Sequence, residues 1–312
     1  MNAKDKSHRG RPSAELPTVS RKEIGGLFTA LITPFDAAGS VDANRLHELV
    51  QFQISKGTEG IFPCGTTGLG PMLRLEERKV VAETVVNAAA GKVPVVVQVG
   101  SADTASTVQL AKHAERVGAD AVASLTPYYY KPSEKAVVKH FEAISATLSI
   151  PLFAYNIPQF TGNNLQAGTV AAMAETGTLR GIKDSSRDLL QLIDLIRAVP
   201  DDFVVMNGTE EYGLFAIMSG ADGLVSGGAS AVPEVFKSLV VAQRKGDYEE
   251  ARAAQKKVQG YKELVKPTPV AAYYEILKSR GLDCGRPRQP FLPLERRDAD
   301  RVIQGLRRLG VH

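Results

Sequence analysis

Residues 151–186 read PLFAYNIPQFTGNNLQAGTVAAMAETGTLRGIKDSS. Two short apolar runs, PLFAY (151–155) and LRGIK (179–183), flank a segment at 165–175 whose apolar residues recur at helical spacing. That is the pattern of a strand, a crossover helix and a second, parallel strand. The first run closes on a tyrosine and the second on a lysine.

The same alternation extends in both directions from this unit. Six more runs of strand character are LFTALIT (27–33), GIFPC (60–64), VPVVVQVG (93–100), AVASL (121–125), FVVMN (203–207) and GLVSG (223–227). Between them, 43–56, 75–89, 104–117, 133–146, 188–198 and 210–219 carry amphipathic helical patterns. Asp42 before the first of these, and the Ser185–Ser186 pair before Arg187, are placed as helix N-caps, where side-chain oxygens accept from unpaired N–H groups. Eight strands linked by crossover helices most economically close into a (β/α)8 TIM barrel. An open doubly wound sheet is disfavoured because no G-x-G-x-x-G follows the first strand. Beyond residue 232 the pattern is helical, broken at Gly246–Asp247, and longer than the one helix needed to finish a barrel. The expected organisation is a flexible N-terminal tail at 1–25, a barrel at 26–232, and a closing helix with a helical C-terminal extension at 233–312.

Composition excludes several function classes. With 312 residues and 44% hydrophobic content the chain can bury a large core, and its 23% charged residues are ordinary for a globular protein. No apolar run approaches the roughly 20 residues that span a bilayer. The net charge of +4 is scattered and is not interleaved with Trp, of which there is none, so nucleic acid is not an expected partner. Cys64 and Cys284 fit neither a disulfide framework nor a zinc knuckle, which points to a reducing, cytoplasmic setting. The five histidines form no close pair, and no metal site is expected.

In a parallel barrel the loops leaving the C-terminal strand ends build the active site. Period-2 alternation places Gly181, Lys183 and Ser185 on one face of LRGIKDSS, opposite Ile182 and Asp184. Ile182 suits the helix layer, so Lys183 points into the barrel, with the small Gly181 expected to leave room for a ligand below it. Apolar walls disfavour an ammonium, and the neutral amine is the form that attacks a ketone. Tyr155 ends the preceding strand and can bring a phenol beside that amine as a proton shuttle, oriented by hydroxyls such as those of Thr66 and Thr67. Gly65 to Pro71, with three glycines and two threonines, suits a carboxylate and lacks the lysine of a P-loop. Tyr128, Tyr129 and Tyr130 put three phenols on one loop, a composition common at interfaces. Taken alone, Lys183 also fits a side chain that snorkels to solvent, and Tyr155 a core phenol.

Together, LITPF, GTTG, TPYYYKP, YNIP, GIKDSS and RPRQPFLPL make the chain resemble, from about residue 27 to 294, the N-acetylneuraminate lyase and dihydrodipicolinate synthase superfamily of Schiff-base aldolases. The resemblance implies a barrel usually assembled as a homotetramer, with no cofactor beyond a covalent lysine imine. It implies pyruvate, or the pyruvoyl end of a substrate, joined to Lys183, with Tyr155 as general acid/base. Thr66 and Thr67 would hold the pyruvate carboxylate, Tyr129 would relay protons across a subunit contact, and Gly208 and Val225 would line the site. Synthases of this group usually carry Ser-Arg-Thr where this chain has Gln159–Phe160–Thr161, and Glu where it has Leu69. An uncharged pocket of hydroxyls and amides, including Gln159, Thr161 and Ser185, suits a polyhydroxylated substrate. GTTGLGP and PYYY also resemble the 2-keto-3-deoxy sugar acid aldolases, and the activity this resemblance implies is reversible cleavage of a 2-keto-3-deoxy sugar acid, such as 2-keto-3-deoxygluconate, to pyruvate and an aldehyde. The alternatives are a dihydrodipicolinate synthase in which another arginine substitutes, a keto-deoxy sugar acid dehydratase, an N-acetylneuraminate lyase, and a non-catalytic keto-acid binder.

Overall fold

The computed structural model describes residues 24–311. Eight strands run parallel: β1 (Gly26–Ala30), β2 (Gly60–Phe62), β3 (Val96–Gln98), β4 (Ala121–Leu125), β5 (Leu152–Asn156), β6 (Gly181–Asp184), β7 (Val204–Asn207) and β8 (Gly223–Ser226). They lie side by side in the order β2-β1-β8-β7-β6-β5-β4-β3. A parallel bridge between Ile61 and Val95, and the Gln98 N–H donated to the Pro63 carbonyl at 3.1 Å, join β2 to β3 and close the sheet. The architecture is a (β/α)8 barrel.

Helices α1 (Ala43–Ser55), α2 (Leu75–Ala89), α3 (Thr104–Arg116) and α4 (Glu134–Ser145) follow the first four strands. After β5 comes a short α5 (Pro158–Thr161), then α6 (Ala167–Glu175), α7 (Leu189–Ala198), α8 (Gly213–Met218) and α9 (Pro233–Arg244). The short α5 has no period for a sequence reading to find. Asp42 does cap α1, accepting from the Arg45 N–H at 3.1 Å. The cap of α7 is Asp188 rather than the serine pair, because its carboxylate takes both the Leu190 and Gln191 N–H groups. Ser186 instead donates to the Asp184 carboxylate at 2.6 Å.

Two apolar layers follow from strand alternation. Ile182, Val205 and Leu224 point outward among the helix residues, whereas Phe28, Phe62, Phe153, Tyr155, Val204 and Met206 fill the barrel. Gly181 serves this packing and leaves no ligand space: the Phe153 ring of the neighbouring strand lies only 2.1 Å from where its Cβ would be. The expected tail boundary also moves, since Ile24 is buried in the barrel-interior cluster. The rest of that expectation, residues 1–23, lies outside the described residues.

Helices α10 (Tyr248–Val265), α11 (Pro269–Ser279) and α12 (Arg296–Arg308) form the C-terminal extension. Buried hydrogen bonds seat it over the C-terminal end of the barrel. Gln255 on α10 donates to the Glu210 and Glu211 carbonyls and accepts from the Leu214 N–H. Tyr274 on α11 donates to the Thr33 carbonyl at 2.6 Å. No described helix is long and apolar enough to cross a membrane.

Candidate active site

Parallel pairing puts Tyr155 of β5 in register with Lys183 of β6, so both side chains leave the sheet on the inner face at the same height. Both are buried, at 2% and 5% exposure. The Lys183 Nζ lies 4.0 Å from the centre of the Tyr155 ring and 4.3 Å from that of Phe62. The Tyr155 and Thr66 hydroxyls are 3.2 Å apart and share a hydrogen bond. Amine, phenol and threonine hydroxyl thus converge from three strand ends.

Above them opens a cavity of about 790 Å³. Of the expected site residues, Thr66, Thr67, Tyr155, Gln159, Lys183, Ser185, Gly208 and Val225 line it. Gly208 has a steric reason: a Cβ there would lie 1.9 Å from the Ser185 hydroxyl and 3.0 Å from the Lys183 Cε. Three expected residues sit elsewhere. The Gly65 carbonyl accepts the Gly70 N–H and closes the turn beneath the threonines. Thr161 spends its hydroxyl on the Ile157 and Asn163 carbonyls at the end of α5. Tyr129 is 89% exposed, stacked edge-on against Tyr130 and away from the cavity of its own chain. The loops of this rim also hold strained backbone: Cys64, Leu69, Tyr129 and Arg187 all have φ between 55° and 77°.

The pocket is not uncharged, contrary to the sequence expectation. Glu210, Glu211, Arg187, Lys262 and Arg301 all line it. Glu210 is fully enclosed, which pushes its carboxyl up, yet the Lys262 charge and hydrogen bonds from Lys262, Ser226 and the Gly228 N–H outweigh burial and hold it low. Burial acts against the Lys262 ammonium, and Glu210 more than offsets it, so Lys262 stays charged. This pair ties β8 and the β7 loop to α10. Behind Lys183, burial pushes the Asp184 carboxyl up, opposed by hydrogen bonds from Ser186, Asn156 and Gln191. The wall contributed by the extension, at 267–271 and 290–295, was missed because RPRQPFLPL carries no chemistry that would announce it as a cavity wall. Arg187 had a signal: it follows Lys183 by four residues on a strand-end loop. Among the described residues no cluster of three His, Cys, Asp or Glu could hold a metal ion.

Residues 23–308 match the Dihydrodipicolinate synthetase family. The chain belongs to this family. Its members are pyruvate-dependent class I aldolase lyases. Among curated relatives, the 4-hydroxy-tetrahydrodipicolinate synthase of Chlorobium phaeobacteroides (strain DSM 266 / SMG 266 / 2430) is 36% identical over 279 residues, covering 88% of this chain and 94% of that protein. Among solved structures, the Ruminococcus gnavus sialic acid aldolase superposes with a TM-score of 0.89 at 27% identity, covering 92% of this chain and 97% of that one. The E. coli K12 prophage protein YagE, in complex with pyruvate, superposes with a TM-score of 0.86 at 26% identity, covering 93% and 99%. The proteins it is similar to thus include both a synthase and a sialic acid aldolase.

Proposed function

We propose that this lyase reversibly cleaves a 2-keto-3-deoxy sugar acid to pyruvate and an aldehyde through an imine at Lys183. The observation that carries the reading is the Lys183 amine buried beside the hydrogen-bonded Tyr155 and Thr66 hydroxyls, in a cavity whose wall adds the Thr67 and Ser185 hydroxyls and the Gln159 amide to its charged groups. Thr66 and Thr67 hold the carboxylate next to the ketone. The amine adds to C2, and the Tyr155 phenol protonates the resulting hydroxyl, which leaves as water and yields the iminium and a phenolate. The phenolate takes the C4 hydroxyl proton as the C3–C4 bond breaks, its electron pair passing toward the iminium to form an enamine. Tyr155 then protonates C3, water adds to the imine, and pyruvate departs. Gln159 and Ser185 are suited to the hydroxyls of the aldehyde half, since an amide and a hydroxyl both donate and accept.

A second reading, condensation of pyruvate with aspartate semialdehyde, is favoured by the name of the Chlorobium relative and by the guanidinium of Arg187 at the cavity wall. One substrate panel separates the two. Keto-deoxy sugar acids are supplied in the cleavage direction, and pyruvate with aspartate semialdehyde in the other. Pyruvate release from the sugar acids supports the first reading. Turnover of aspartate semialdehyde alone supports the second, and loss of water without fragments identifies a dehydratase. Borohydride with pyruvate is expected to leave one reduced adduct at Lys183 by mass spectrometry, and its absence sinks all three.

A further inference from the structure

Arg187 occupies a backbone conformation that belongs to glycine. Its φ is 65°, in the left-handed region where an L side chain crowds its own backbone. Both neighbours are anchored, so the turn cannot relax. On one side the buried Asp184 carboxylate accepts from the Asn156 side chain at 2.8 Å and the Ser186 hydroxyl at 2.6 Å. On the other, Asp188 donates its N–H to the Ser186 hydroxyl and caps α7 through its carboxylate. A glycine would satisfy this turn without steric cost. The arginine has to be explained by its side chain.

That side chain lines the cavity that holds Lys183. The other distal cations of the wall are already engaged: Lys262 with Glu210 and Glu211, and Arg301 with Asp298. Among the described residues, no ion pair or hydrogen bond reaches the Arg187 guanidinium. A planar, permanently charged fork without a partner at the wall of a catalytic cavity matches a carboxylate, which it can grip through two parallel hydrogen bonds. The threonine pair on the far strand ends is suited to the carboxylate beside the ketone, which leaves Arg187 for a second one.

We propose that Arg187 selects the acceptor by binding a carboxylate on the aldehyde half of the substrate. The preferred substrates are then 2-keto-3-deoxy acids with a second, terminal carboxylate, or their aldehyde products carrying one, over those yielding neutral glyceraldehyde. This inference rests on the Schiff-base reading of Lys183 and narrows its substrate class.

The test measures kcat/KM for condensation of pyruvate with carboxylate-bearing aldehydes (glyoxylate, succinic semialdehyde, aspartate semialdehyde) and neutral ones (glycolaldehyde, glyceraldehyde). It compares the full chain with Arg187→Gly and Arg187→Lys. Arg187→Gly suits the turn and keeps the fold, which its thermal transition verifies. The preference for carboxylate-bearing over neutral aldehydes should fall about 30-fold in Arg187→Gly, through KM rather than kcat, because a charged hydrogen-bond partner is lost. Arg187→Lys should restore part of it. An unchanged preference in Arg187→Gly, or no turnover of any carboxylate-bearing aldehyde by the unaltered chain, overturns the proposal. Pyruvate trapping at Lys183 is read in parallel: a missing adduct would implicate the Schiff-base reading itself, whereas a present adduct confines any failure to Arg187.

Discussion

Replacing Arg288 by Ala should destabilise the fold by about 2–3 kcal/mol, with a pH dependence that identifies its partner. Arg288 follows the barrel in sequence by some sixty residues, yet it clamps the extension onto the rim. Its two terminal nitrogens donate to both oxygens of Glu77 at 2.9 and 2.7 Å, and also to the Met72 and Gly39 carbonyls. The guanidinium lies 4.6 Å from the centre of the Phe35 ring. Hydrogen bonds from Arg288, and further ones from Arg74 and its N–H, hold the Glu77 carboxyl at about 2, against burial and far below an ordinary 4.5. That difference corresponds to about 3 kcal/mol at 1.36 kcal/mol per pH unit, and partial solvent screening lowers the expected share to about 2 kcal/mol. Losing the arginine also leaves a mostly buried carboxylate with only the Arg74 side chain and N–H as partners, which raises the cost again. In a chain of this size each kcal/mol moves the midpoint by roughly 2–4 °C, so a fall of about 5–10 °C is expected by calorimetry. Because the folded state holds Glu77 below its unfolded value, the stabilisation is complete above about pH 4.5 and fades as pH falls toward 2. The gap between the unaltered chain and Glu77→Gln should accordingly be constant from pH 7 to 5 and narrow below that. Additive effects of Glu77→Gln and Arg288→Ala in the double variant, or a gap that persists unchanged at pH 3, would refute the reasoning.

Two further outcomes concern the site. Gly208→Ala should lower kcat at least tenfold, because its Cβ displaces the Ser185 hydroxyl and crowds the Lys183 stem; a rate within twofold of the unaltered chain would show that the lysine does not need its present position. Tyr155→Phe should still bind pyruvate and accumulate the trapped adduct at Lys183, but more slowly, while turnover falls by roughly 10²–10⁴, as expected for loss of a proton-transfer group, and undiminished turnover would assign the proton to another residue.

Much of the site was legible because barrel topology converts one-dimensional position into three-dimensional place. A polar residue at the C-terminal end of an inward-facing strand position reaches the mouth, whatever the loops do. That rule sufficed for Lys183, Tyr155 and Thr66, which line the cavity together, whereas Val225 was expected only from the family resemblance. It failed for Gly181, whose smallness answers the ring of Phe153 across the β5–β6 pair, a contact between residues 28 apart in sequence. It failed again for Thr161, whose hydroxyl is consumed by local carbonyls in a helix too short to show a period.

Alternating apolar strands and amphipathic helices were enough to favour a barrel over an open sheet, to turn Lys183 inward and to set Tyr155 one strand away, while the pairing of the two as a site came with the converging strand ends and the family resemblance. Which charges in the mouth remain available was decided only by the tertiary structure. Lys262 and Glu210 are 52 residues apart and neutralise each other, while Arg187 is held in a glycine-like turn with no partner among the described residues. Ion pairing depends on distances between side chains from separate elements, and periodicity along one chain carries no record of them.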